Sequence, residues 1–315
     1  MVTDMAGIPV ITVRGVLESG KSYFIKDSLV RGDFGDLGKV LILAQEEGIE
    51  EFTEEELSPL NASFKYFDKE SWNAQNINDA VMEFKPHVIF IERNEMWDKD
   101  EFKYPSYFDV QQDICVIDGS SFKEYFSSMR QIMVDMVKEC ELVIVNRCDY
   151  TENTSNIKKS LKMVNPSLEI IALDELGAQI SLATDLPYDI NDNEIVLKNE
   201  HFGDFYVDSF EQVERYRNKI VTFECMALFS DKLPPNTFFG ARPALTCCVD
   251  DIQTIGHLCA LNQGDKVTPD RWIKLTARVH YMTFKGAQGE QLLLEYISSE
   301  ELPLPPLDDQ LVKLV

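Results

Sequence analysis

No apolar run in this 315-residue chain approaches the eighteen or so residues that a membrane-spanning helix needs. The opening residues, Met1-Val2-Thr3-Asp4-Met5-Ala6-Gly7, lack the basic and long apolar segments of a secretory leader. Positive charge is also scarce: 30 Lys and Arg stand against 54 Asp and Glu, giving a net charge of −24. That balance excludes general nucleic-acid binding, which needs a basic surface to neutralise phosphates. It equally disfavours docking on an anionic bilayer. Seven cysteines occur without a single C-x-x-C pair, so reduced thiols are expected rather than a disulfide framework. The four histidines are scattered, and no Ser–His–Asp arrangement or catalytic-carboxylate spacing is apparent. These absences predict a cytoplasmic protein without direct membrane insertion. They leave room for a small anionic ligand held by local dipoles.

What is present starts with Gly15-Val16-Leu17-Glu18-Ser19-Gly20-Lys21-Ser22, which satisfies G-x-x-x-x-G-K-[ST]. The apolar run Ile8-Pro9-Val10-Ile11-Thr12-Val13 precedes it, and Tyr23 to Val30 follows as an amphipathic helix. Strand, glycine-bounded loop and helix are the context that a phosphate-binding loop requires. The glycines let consecutive N–H groups turn inward on a polyphosphate, together with Glu18 and Ser19 of the loop. Lys21 adds charge at the outer phosphates, and the Ser22 hydroxyl can ligate Mg²⁺.

Downstream, short apolar runs alternate with helical patterns. Strands are predicted at 39–44, 63–67 (at an edge), 87–92, 113–118, 142–145 and 168–173. Helices are predicted at 77–84, 122–138 and about 154–164. The order indicates an α/β, P-loop NTPase-type domain with a mostly parallel, doubly wound sheet. Its ligands belong at the C-terminal strand ends, where Glu92, Asp118 and Asn146 stand. After a turn-rich connector the pattern becomes mostly β, and the alternation from Trp272 to Tyr281 is that of a half-exposed antiparallel strand. The expected organisation is a nucleotide-binding domain over 1–182, a connector over 183–200 and a small, OB-like β-barrel over 201–315.

Asn146-Arg147-Cys148-Asp149 follows a strand in the first half. A carboxylate at Asp149 can accept two hydrogen bonds from guanine, from the ring N–H and the exocyclic amine, a pair that adenine does not offer. Asn146 would bond nearby loop or base atoms. With these residues the region over roughly 7–180 resembles the CobW-like (CobW/UreG/HypB) family of P-loop GTPases. The likeness rests on Gly15–Ser22, on Glu92 ending a strand, on Asp118, and on Asn146–Asp149 as a variant of N-K-x-D. Gln45-Glu46-Glu47-Gly48 is similar to the family's N-E-x-G segment. The resemblance implies GTP/GDP with Mg²⁺ held by Ser22 and by Glu46 or Glu92, catalysis through Lys21 and Glu92, and service to a metalloprotein or other partner.

The chain also departs from that pattern. It has no cysteine between Gln45 and Glu92, where the family carries its C-x-C-C metal motif. Glu95 stands where a glycine N–H normally meets the γ-phosphate, and a carboxylate aimed there repels phosphate or turns away. Arg147 replaces a lysine and is bulkier and planar. These departures predict nucleotide binding with slow or partner-stimulated hydrolysis.

In the second half, Arg242, Thr246, Cys247, Cys248 and Asp251 form an R-x-x-x-T-C-C-x-x-D signature. It resembles the C-terminal domain of putative bacterial permease subunits, which implies a membrane permease as a partner. Adjacent Cys247 and Cys248 raise a transition-metal reading, with Cys225, Cys259, His257 and His280 as helpers. Neighbours on a strand point to opposite faces, however, so both thiols reach one metal only at a bend or bulge. Structural thiols are the plainer expectation. Three functions follow in order: a Mg-dependent GTPase, for which a homo-oligomer is a candidate state; a non-catalytic adaptor docking a permease through the β domain; and an ATP-dependent kinase-like enzyme, against which Asp149 argues.

Overall fold

The structure is a computed structural model that describes residues 7–34, 36–48, 52–97, 103–148, 154–182, 186–245, 252–283 and 290–313. These residues form two compact units, Met1–Thr154 with Ser167–Leu182, and Ser155–Pro166 with Ala183–Val315.

The first stretch of chain runs β1 (Ile8–Arg14), α1 (Lys21–Arg31), β2 (Val40–Ala44), α2 (Glu54–Leu57), β3 (Ala62–Tyr66), α3 (Ala74–Phe84), β4 (Val88–Glu92) and β5 (Phe108–Asp118). It continues with α4 (Phe122–Ser128), α5 (Arg130–Glu139), β6 (Leu142–Asn146), α6 (Thr154–Val164), β7 (Glu169–Leu173) and β8 (Gln179–Ile180). The eight strands lie in the order β3-β2-β4-β1-β5-β6-β7-β8, parallel throughout except β8, which returns antiparallel on β7. Both faces of the sheet are covered. Ile11, Val13, Ile42 and Phe90 pack in one cluster, while their neighbours Val10, Leu41, Leu43, Ile89 and Ile91 pack in the other. Two buried faces explain why these strands read as unbroken apolar runs. β1 sits centrally between β4 and β5, so the loop leaving it opens among several strand ends.

Two local features differ from the sequence patterns. The helix expected over 122–138 is broken at Met129 (φ −124°, ψ 36°) into α4 and α5. β5 begins at Phe108 rather than Asp113, because it pairs with β1 from Ile8 onward.

The later chain contains β9 (Glu194–Val196), α7 (Phe202–Glu211), α8 (Val213–Tyr216), β10 (Ile220–Leu228), β11 (Thr237–Leu245), β12 (Ile252–Ala260), β13 (Trp272–Met282), β14 (Gln291–Glu301), α9 (Leu307–Gln310) and β15 (Val312–Lys313). β10 to β14 close into a five-stranded barrel: β10 pairs β11 and β13, β11 pairs β12, β12 pairs β14 in parallel, and β14 pairs β13. Closure removes the open edges that a β-sheet otherwise presents. Every second residue of β10, from Val221 through Phe223 and Cys225 to Ala227, is buried. Gly256 is required where β12 meets β11, since a Cβ there would lie 2.2 Å from the Gly240 carbonyl oxygen. Among the described residues no helix is long and apolar enough to cross a membrane.

Candidate functional site

The loop between β1 and α1 is shaped by its glycines. Gly15 has φ +153° and a Cβ on it would lie 2.4 Å from Ser19 Oγ and 2.5 Å from the Val116 carbonyl. Gly20 has φ +96° and a Cβ on it would lie 2.5 Å from Asn146 Nδ2. Only glycine fits both the conformation and the space. Glu18 is exposed and takes a left-handed φ of 62° at the outer turn of the loop. The Ser19 amide donates to the Val16 carbonyl at 3.2 Å, which curls the loop toward the first turn of α1. Lys21 is buried, and its Nζ donates to the Gly15 and Val16 carbonyls at 2.8 and 2.9 Å and to the Glu46 carboxylate.

Ser22 and Glu92 meet across the site. Ser22 Oγ donates to Glu92 Oε1 at 2.7 Å, while Glu92 Oε2 is buried with no partner. Burial pushes the Glu92 carboxyl up to about 7, against the pull of Lys21 and the Ser22 hydrogen bond. The strand end is fixed from two sides: the Arg93 amide donates to the Val13 carbonyl at 2.9 Å, and the Gln45 amide to the Glu92 carbonyl at 3.0 Å. Of the acids after β2, Glu46 lies on Lys21 and Glu47 is exposed. Thus Glu46 and Glu92 engage different members of the loop, Lys21 and Ser22.

At the end of β6, Asn146 Nδ2 donates to the Ser19 carbonyl at 2.7 Å, and Asn146 Oδ1 is buried without a partner. Arg147, at φ 50°, reaches back along the loop: its Nη1 donates to the Glu18 carbonyl at 3.2 Å and to Asp118 Oδ2 at 2.6 Å. The same Asp118 caps the turn after β5 by accepting from the Ser120 amide at 2.9 Å. A cavity of about 250 Å³ opens beside these residues, lined by Tyr23, Phe24, Asp27, Arg147, Asp174 and Glu175, among others. A smaller one of about 110 Å³ lies over Lys21, Ser22, Glu46 and Glu92. Asp149, the predicted guanine reader, lies outside the described residues, as do Cys247 and Cys248.

Glu95 resolves one of the departures noted above. It is turned away from the loop into a buried ion cluster: Arg14 Nε and Nη2 donate to its two oxygens at 3.0 and 3.1 Å, and Arg93 lies at 3.1 Å. Arg14 also reaches Glu139 at 3.0 Å and Asp113 at 3.5 Å. The residue that brings these acids together, Arg14, was missed by motif reasoning. Its signal was a lone cation ending an apolar strand, a placement that calls for acceptors when fully buried, supplied here by acids.

No three of the barrel's described candidate metal helpers come together. His280 Nε2 pairs with Glu295 at 2.9 Å. His257 is buried among the rings of Phe205, Tyr206 and Phe210, with both ring nitrogens unpartnered. Cys225 and Cys259 are buried, and burial raises both thiols far above the ordinary range. Among the described residues no three metal-ligating side chains come together.

The loop fits a magnesium–phosphate group on three counts. Two positions admit no Cβ, a hydroxyl and a carboxylate are paired at the first turn of the helix, and three buried polar atoms lack partners: Ser19 Oγ, Glu92 Oε2 and Asn146 Oδ1. Buried polar atoms are normally satisfied, so unpartnered ones on the loop and on the strand ends beside it point to a ligand. Ser22 and Glu92 supply the hard oxygen donors that Mg²⁺ takes.

Residues 174–307 match the family model described as the DUF1980 C-terminal domain. No curated protein matches the chain. Among solved structures the chain is similar to the hydrogenase maturation factor HypB from Archaeoglobus fulgidus, at 14% identity and a TM-score of 0.41, over 55% of this chain and 85% of that one. HypB from Helicobacter pylori in complex with nickel is similar at 13% identity and a TM-score of 0.38, over 54% and 80%. A Zn(II)-bound triple mutant of the YjiA GTPase is similar at 14% identity and a TM-score of 0.41, over 71% and 74%.

Proposed function

We propose that the chain is a CobW-like GTP-binding protein, a Mg-dependent GTPase with a low intrinsic rate that serves a partner. The observation carrying this reading is the loop itself: Gly15 and Gly20 admit no Cβ, and beside buried Lys21 the Ser22 hydroxyl meets the Glu92 carboxylate, whose second oxygen is buried and unpartnered. Lys21 and the loop amides hold the phosphates. Ser22 and Glu92 hold Mg²⁺, which when bound withdraws charge from the phosphate oxygens. Asn146 fastens the base-side loop to the phosphate loop through Ser19, and Arg147 takes the place of the family's lysine along it. Asp149 reads guanine. Glu92 orients the attacking water, and in its ionised form the carboxylate can accept that water's proton; a value near neutral pH keeps both forms accessible. The pairing of Glu95 with Arg14 compensates the charge that would oppose a γ-phosphate.

The partner side of the reading belongs to the barrel. Its strand order, with β12 and β14 parallel in an otherwise antiparallel closed sheet, supports the OB-like comparison, and the docking role toward a permease or metalloprotein rests on the sequence resemblances alone. The adaptor reading loses its argument from Glu95 and keeps one from Lys21, whose protons already have partners.

Calorimetric titration of the full chain with GTP, GDP and ATP in the presence of Mg²⁺ tests the proposal, followed by phosphate release at saturating GTP. Guanine nucleotides bind in preference to ATP, and release is slow. No guanine-nucleotide binding at millimolar concentration overturns the reading. Binding without any release, even with permease-enriched membranes added, leaves the adaptor.

A further inference from the structure

Every phosphate reading of the loop depends on Lys21, and the ammonium of Lys21 is saturated. An ammonium has three protons. Here they go to the Gly15 carbonyl at 2.8 Å, the Val16 carbonyl at 2.9 Å and the Glu46 carboxylate. The Lys21 side chain is 1% exposed and that of Glu46 is 9% exposed, so the ion pair is shielded from solvent. The three partners are not equivalent. The carbonyls belong to the loop itself and tie Lys21 back onto its own turn. Glu46 is the anion of the set, and it arrives from the segment that follows β2.

A phosphate that takes up Lys21 must therefore release one of these partners. Glu46 is the one whose charge conflicts with it: two anions on one shielded cation repel each other more strongly than they would in water. The other nearby acids do not share this position, because Glu92 is held by Ser22 and Glu47 faces solvent. We propose that Glu46 is a built-in competitor for the nucleotide phosphate, an internal carboxylate that holds Lys21 until a guanine nucleotide displaces it. The proposal rests on the phosphate-site reading above and adds a regulatory step to it.

The displacement has a route outward. Glu46 follows Gln45, whose amide donates to the Glu92 carbonyl at 3.0 Å. Gln45 Oε1 also accepts from the Asn94 amide at 3.1 Å, and Gln45 Nε2 is buried without a partner. A carboxylate leaving Lys21 thus moves the segment that anchors both the Glu92 strand end and the loop behind it. Phosphate entry and the placement of Glu92 are linked through one residue, Gln45.

The competitor role and a magnesium-ligand role for Glu46 predict opposite results for Glu46→Gln. The test is a fluorescence titration of the full chain with N-methylanthraniloyl-GDP, with Mg²⁺ and separately with EDTA. The wild type, Glu46→Gln, Glu46→Asp and Lys21→Ala are compared, each checked for folding by its thermal melt. Removing the competing charge is expected to tighten binding of this GDP by about tenfold, chiefly through faster association, with or without Mg²⁺. Glu46→Asp, which keeps the charge, stays nearer the wild type. Unchanged or weaker binding in a folded Glu46→Gln protein overturns the proposal, and so does a rise in the Mg²⁺ needed for half-saturation. If neither the wild type nor Glu46→Gln binds at millimolar nucleotide, the phosphate-site reading fails with it. If the wild type binds and Glu46→Gln is no tighter, the competitor role alone fails.

Discussion

Two buried cations, one in each unit, behave in opposite ways. Arg242 in the barrel unit donates Nε to the Gln310 carbonyl at 3.1 Å, Nη1 to Asn199 Oδ1 at 2.7 Å and Nη2 to the Asp309 carbonyl at 2.6 Å. Its guanidinium also lies 5.3 Å from the Trp272 ring centroid. These partners are neutral, and they bind the terminal segment containing α9 to β11. Lys21 is as deeply buried, yet one of its partners is a carboxylate from another strand end, and Glu92, which lines the same cavity, has a buried oxygen without a partner. Burial of a cation does not by itself mark a site. The unmatched polar atoms around it do. The barrel's own unmatched group, His257, is enclosed by three aromatic rings and lacks any charged companion in that cage.

The largest expected effect falls on the structural cation. Arg242→Met leaves several buried carbonyl acceptors without donors and is expected to cost about 4 kcal/mol of stability. Denaturant unfolding gives that figure, and a nucleotide titration on the same protein at low temperature should be unchanged. Loss of nucleotide affinity in a folded Arg242→Met protein would break the separation drawn between the two cations.

Glu92 comes next, through pH. Its folded-state value of about 7 lies above the unfolded 4.5 because burial favours the neutral acid. The stabilisation is therefore complete below about pH 4.5 and is lost as pH rises through 7, amounting to about 3 kcal/mol at pH 8. Relative to the wild type, Glu92→Gln should gain that stability between pH 4.5 and 8, measured by urea unfolding at several pH values. A flat difference would mean that Glu92 is not held neutral by burial. Magnesium needs the carboxylate, so the Mg²⁺-dependent part of nucleotide affinity should grow across pH 6 to 8.

Lys21→Ala is expected to weaken GDP binding by about 100-fold, the loss of a charge-assisted contact to phosphate. Equilibrium titration reads it directly. The smallest effect is reserved for His257→Phe, which removes two unmatched nitrogens from an aromatic cage. Its stability should change by less than about 1 kcal/mol, in either direction, in thermal unfolding. A large loss would show that the imidazole makes a polar interaction the barrel depends on.

Much of the first unit was legible because its signals are local. The phosphate loop is eight consecutive residues, and Glu92 and Asn146 each end an apolar run. The strand expected at 63–67 reads as an edge strand because it alternates, and β3, Ala62–Tyr66, lies at the sheet edge. What stayed hidden depends on distant pairing. Glu95 appeared to face the phosphates because its partner Arg14 lies 81 residues away in sequence. Closure of the barrel requires β12 to pair β14 in parallel, which no alternation pattern encodes. The Lys21–Glu46 pair was equally unreadable: motif spacing assigns Lys21 to phosphate and Glu46 to metal, and it cannot say that the two hold each other.

The most direct test is a set of thermal melts of the wild type, Lys21→Ala and Arg242→Met, each with and without Mg²⁺ and GDP. A ligand that binds only the folded state raises the melting temperature. The account predicts an upward shift for the wild type and for the less stable Arg242→Met, and little or none for Lys21→Ala. No shift in the wild type, or an equal shift in Lys21→Ala, would contradict the claim that the first unit's strand ends form a guanine-nucleotide site.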